Sequence, residues 1–131
     1  MSFEKAVKNF EKQTLAQLQR VRRAVVLEIL SGVVIRTPVD TGRARANWLV
    51  TVGKPANYSS LDTDKGGFAT IHKAEAVRLG QMGDVVFITN NLPYIEALND
   101  GHSGQAERGY IQSEVQRVKN NLTRGGFTVG D

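Results

Sequence analysis

From Phe3 to Arg36 the apolar residues Phe3, Val7, Phe10, Leu18, Val21, Val25 and Ile29 recur at spacings that fit 3.6 residues per turn, and the first proline is Pro38. The stretch predicts one amphipathic helix over 3–36. Ser2 can cap its start, Glu4 favours its first turn, and Pro38 disfavours helical geometry at Thr37. At 1.5 Å per residue such a helix runs to about 50 Å. A compact chain of 131 residues is only about 36 Å across. Part of the helix must therefore overhang, and its stripe of Phe3, Val7 and Phe10 needs a neighbour, either the chain's own second helix or another subunit. The other end, Ile29 to Ile35, is apolar nearly all round and is expected to be buried. Gly32 costs that turn about 1 kcal/mol relative to alanine and marks a candidate for close packing.

The rest of the chain alternates short elements with polar connections. Asn47 to Gly53 predicts a strand with Trp48, Val50 and Val52 on one face. Residues 54–67, with Pro55, Asn57, Asp62, Asp64 and Gly66-Gly67, predict the longest irregular segment. Phe68 to His72 suggests a short strand, Lys73 to Leu79 fits helix or strand, and Asp84 to Thr89 is the clearest strand. Pro93 suits the first turn of a short helix over Tyr94 to Leu98, stopped by Asn99-Asp100-Gly101. Ile111, Val115, Val118 and Leu122 form a stripe on a second helix over Glu107 to Leu122, followed by a tail, 123–131, able to add an edge strand or stay mobile. The expected architecture is a single α+β domain over 1–131, with a long amino-terminal and a shorter carboxy-terminal helix packed on a small, mostly antiparallel sheet.

Composition narrows the function classes. With 40% hydrophobic and 23% charged residues the chain reads as globular, and no apolar run approaches the roughly 18 residues of a membrane span. Its start lacks the features of a secretory signal, so a membrane or exported location is not expected. Zero cysteines exclude disulfides and thiolate metal sites, and two histidines, His72 and His102, are too few for a histidine-rich one. No cofactor is implied. The net charge of +4, with Arg20, Arg22 and Arg23 close together, keeps a nucleic-acid-binding accessory role open beside a solvated helix surface.

Two motifs stand on either side of the middle. In Thr37-Pro-Val-Asp-Thr-Gly42, Pro38 presets a turn, Asp40 or Thr41 can bind nearby amides, and Gly42 can take positive φ. Arg43 and Arg45, two apart on an extended strand, would share a face open to a partner's acidic surface, whereas Trp48 suits the core. In the second motif, Asn90-Asn-Leu-Pro-Tyr94, the asparagines end a strand, Pro93 opens a helix, Tyr94 and Leu98 share a helical face, and Gly101 lets the chain reverse. His102, Ser103 and Gln105 then follow on a glycine-flanked loop, where recognition residues concentrate. His102 can serve structural hydrogen bonding, a subunit contact or chemistry. Gly101-His-Ser-Gly-Gln105 fails as a serine nucleophile elbow, because Gln105 stands where glycine is needed and no strand precedes it. Asp62 and Asp64 lack a calcium-loop pattern and read as loop solubilisers. No catalytic residue is assigned.

Together, Thr37-Pro-Val-Asp-Thr-Gly42 with Trp48, and Asn90-Asn-Leu-Pro-Tyr94 with Gly101-His-Ser-Gly-Gln105, resemble the tail-completion, or neck, proteins of long-tailed bacteriophages. The resemblance covers residues 1–122 in element order and is specific in the two motifs. Glu107 departs from it, standing where the family often has proline. It implies a non-enzymatic virion protein, made in the bacterial cytoplasm, that forms a ring (a hexamer in the family) at the head-proximal end of the tail. The implied partners are other copies of itself, the head connector, and tail-tube or tail-terminator proteins. Arg43, Arg45, His102, Ser103, Gln105, Phe3, Val7 and Phe10 are then the contact candidates.

Overall fold

The computed structural model describes residues 3–123, and of residues 6–13 and 123 only the course of the helix. The first helix, α1 (Phe3–Arg36), has the predicted bounds and is the spine of the domain. Its end is over-determined. The Thr37 amide and hydroxyl both donate to the Val33 carbonyl, at 3.0 and 2.5 Å. Arg45 donates to the Ile35 and Thr37 carbonyls at 2.7 and 2.9 Å, supplying donors that the helix itself no longer has.

Along the carboxy-terminal half of α1 pack the remaining elements: α2 (Arg43–Ala46), β1 (Leu49–Val52), α3 (Phe68–Glu75), β2 (Val86–Thr89), α4 (Ile95–Asn99) and α5 (Tyr110–Thr123). Strands β1 and β2 pair antiparallel from Leu49↔Thr89 to Val52↔Val86, the only sheet among the described residues. The α+β class is as expected. The core is Leu30, Val33 and Val34 of α1 with Trp48 and Ala74, flanked by Val50, Ile71, Ile88 and Ile111. No helix of the described residues is long and apolar enough to cross a membrane.

Helix α5 lies antiparallel on α1, because Glu114 meets Gly32 and Arg36 while Arg117 meets Glu28. Gly32 does mark a close approach: a Cβ there would stand 2.0 Å from Glu114 Oε1. The glutamate carboxylate takes hydrogen bonds from Arg36 Nη1 (3.1 Å) and Arg117 Nε (2.8 Å), and Arg117 also reaches Glu28 at 3.1 Å. Burial pushes the Glu114 carboxyl up, but the two arginines outweigh that and hold it below its ordinary value.

The buried line of α5 is thus Tyr110, Glu114 and Val118. This corrects the expected stripe, for Val115 and Leu122 are 43% and 44% exposed. Residues 68–72 are helical rather than a strand, since Asp64 nucleates α3: its carboxylate accepts from Gly67 N, Thr70 N and Thr70 Oγ1 at 2.8–3.0 Å. Although burial raises the Asp64 pKa, these bonds bring it below normal, so Asp64 is a cap rather than a loop solubiliser.

The overhang is present. Residues 15–20 of α1 are exposed, and Phe3 is 83% exposed at the far tip. Arg22 donates to the Gln81 and Asp84 carbonyls, and Arg23 to those of Val77 and Glu75, so the body begins near residue 22. A stalk of about 25 Å projects beyond it. The side chains of Val7 and Phe10, the Ser2 cap and the tail beyond Thr123 lie outside the described residues.

Candidate functional site

The first motif is built around one hydroxyl. Thr37 is fully buried, and its Oγ1 donates to Val33 O while receiving Trp48 Nε1 at 2.8 Å. With its single proton spent, it must accept from Tyr110 OH at 3.2 Å. Burial raises the Tyr110 pKa, which keeps the phenol protonated as that donation requires. Trp48 is a core residue, 7% exposed, as expected. Past Pro38 the chain turns at Gly42, whose φ is +90°. A side chain there would meet Lys65 N at 2.6 Å, so glycine is required both by conformation and by the close approach of the 54–67 segment. Gly42 O in turn accepts the Ala46 and Asp64 amides.

Arg43 and Arg45 do not lie on a strand. They fall in the single turn α2, where a four-residue helix replaces the expected extended run. Arg43 Nε donates to Ser60 O at 2.9 Å, and Arg45 spans Thr37, Lys65 and Ile35 carbonyls. Arg45 is therefore committed within the chain through all three guanidinium nitrogens, whereas Arg43 bonds through Nε alone and also lines the cleft between the two motifs, and the helical turn replaces the expected paired face of a strand. Asn47, which sequence reasoning passed over, closes the same corner by donating to Arg43 O and Ser60 O and accepting Ser60 N.

The second motif returns to the first. Asn90 Nδ2 donates to Ala44 O at 2.9 Å, and Asn91 Nδ2 donates to Ala56 O and Tyr58 O. After α4, Gly101 takes φ +86° and reverses the chain. The loop then presents Gln105 to the first motif: Oε1 accepts Val39 N at 2.8 Å and Nε2 donates to Val39 O at 2.8 Å. One side chain 66 positions away thus clasps both main-chain groups of the turn.

Between the clasped motifs lies an open cleft of about 250 Å³. Residues 38–44, with Asp40 and Arg43 among them, line one side, and Tyr94, Leu98, Ser103 and Gln105 the other. Tyr94 is 40% exposed at its mouth. The exposed Asp40 has no hydrogen bond or ion pair among the described residues. Ser103 Oγ accepts the Gln105 amide. The His102 amide donates to Ala97 O, while its exposed imidazole makes no hydrogen bond among the described residues. Ser103 and His102 are not linked to each other. Phe3 is at the opposite end of α1. No group of acidic and histidine side chains suited to a metal occurs among the described residues.

The arginines that raised the nucleic-acid reading are also accounted for in part. Arg22 and Arg23 turn their guanidiniums onto main-chain carbonyls of 75–84. Arg20 stays exposed. Against known proteins, the chain matches no family model, no curated protein and no solved structure.

Proposed function

We propose that this protein is a structural component of a long-tailed phage virion, self-associating into a ring that completes the tail and helps join it to the head. The observation that carries this reading is the Gln105–Val39 clasp. The two segments on which the resemblance to neck proteins rests are distant in sequence, yet they form one surface in the fold. Most of their side chains are spent holding that surface in shape. What remains outward, Asp40, Tyr94, Leu98, His102 and Ser103 around a cleft, suits recognition of a protein surface. The overhanging stalk adds a second apolar surface that the described body leaves uncovered.

The test is association. At high concentration the protein is expected to form rings, or to bind purified head-connector or tail-tube protein in sedimentation. A chain that stays strictly monomeric and binds neither would overturn the proposal.

A further inference from the structure

Strand β2 is paired along one edge and open along the other. Gly53 N donates to Val85 O at 2.8 Å, and in an antiparallel pair such bonded positions alternate with unbonded ones. With Val52 opposite Val86 and Val50 opposite Ile88, the main-chain N–H and C=O groups of Val86 and Ile88 point away from β1. None of these groups has a hydrogen bond among the described residues. An edge left in this state is a template for one more strand.

Beside that edge, α5 carries an apolar flank that its packing on α1 leaves over. Glu28, Gly32 and Arg36 of α1 face α5, whereas Arg23 reaches the end of α3. Arg22, between these two sides of α1, holds the Gln81 and Asp84 carbonyls just ahead of β2. Strand β1 shares a cleft with α3, so the open edge of β2 is the one turned toward α5. On α5, Ile111, Val115 and Leu122 recur along one flank of the buried line Tyr110, Glu114 and Val118. Ile111 packs on the core, which puts this flank on the side of the sheet, yet Val115 and Leu122 are 43% and 44% exposed.

The segment that continues from α5 matches both vacant surfaces. Because α5 runs antiparallel to α1 and Arg117 meets Glu28, Thr123 lies about 9 Å farther along, level with Arg22 and the start of β2. Arg124-Gly125-Gly126 is a turn sequence of the length that joins a helix to a strand. Phe127-Thr128-Val129 then alternates apolar, polar, apolar. Placed parallel to β2 with Thr128 opposite Phe87, it puts Phe127 and Val129 on the face of Ile88, which is the core face.

We propose that residues 127–129 add to β2 of the same chain as a third, parallel strand that covers Val115 and Leu122. In this register Thr128 N donates to Val86 O, and Ile88 N donates to Thr128 O. The contact stands or falls independently of the virion role.

Hydrogen exchange on the full chain tests it. The Ile88 amide should be protected, and Thr128→Pro, which removes the amide that anchors the strand, should speed its exchange up to about tenfold, the worth of one hydrogen bond. Thr128→Val keeps that amide and should keep the protection. Since the chain has no cysteine, Val115→Cys combined with Val129→Cys gives a second readout, a disulfide within one chain on mild oxidation. An Ile88 amide indifferent to Thr128→Pro overturns the proposal. A disulfide found only between chains overturns it as well, assigning the strand to a neighbouring copy.

Discussion

Replacing Gly32 by alanine separates helix propensity from the tertiary arrangement, because the two predict opposite signs. In an exposed helix the change stabilises by about 0.5–1 kcal/mol. Here the new Cβ would sit 2.0 Å from Oε1 and 2.3 Å from Cδ of Glu114, so the carboxylate has to leave its seat. Its side chain is 5% exposed and held by Arg36 and Arg117, whose own side chains are 34% and 43% exposed. Breaking a fully buried pair costs about 3–5 kcal/mol, and solvent access to the arginines reduces that to about 2–3. The net expectation is a loss of about 1–2 kcal/mol. Urea unfolding followed by helical circular dichroism and by Trp48 fluorescence measures it. In a Glu114→Ala background the clash is gone, so Gly32→Ala should regain its stabilising sign, a coupling of about 2 kcal/mol in the double-mutant cycle. A Gly32→Ala protein more stable than the parent would refute the seating of Glu114 over Gly32.

Other outcomes follow from the same contacts. Gln105→Ala should cost about 1 kcal/mol or less, since both lost bonds are exposed, and should raise the hydrogen-exchange rate of the Val39 amide; unchanged exchange would dissolve the clasp. Thr37→Val leaves Trp48 Nε1 and Tyr110 OH without their buried acceptor and should cost about 2–3 kcal/mol, visible as a shifted emission from the single tryptophan. Glu114 and Asp64 both have folded pKa values below their ordinary 4.5 and 3.8. Their contribution is therefore complete above those values and is lost as pH falls through the folded ones, so the urea midpoint should drop below about pH 5. In Glu114→Gln that acid dependence should be shallower, and an unchanged profile would count against the ion network.

The helices were legible where periodicity is long. Thirty-four residues of pattern closed by Pro38 leave little choice for α1, and Gly32 in an otherwise apolar turn correctly signalled a close neighbour. Identity of that neighbour was not legible, because a glutamate reads as surface until its two arginines are known, and this same residue turned the buried face of α5 away from Val115 and Leu122. Helix α3 was missed because Thr70 and Ile71 favour strand locally, while the cap that decides the matter comes from Asp64 inside a segment that looked like loop. Four-residue α2 is too short to show any period. At the candidate site the motif residues stood out individually, but the bond from Gln105 to Val39 is a product of the whole fold.

The central claim concerns joining, and particles assembled without this protein test it most directly. Electron microscopy of lysates from a phage carrying a stop codon in its coding sequence should reveal filled heads and complete-looking tails lying apart, with joining restored when the purified protein is added. Intact, infectious particles in its absence would contradict the account, and heads with no tails at all would assign the protein to an earlier step than joining.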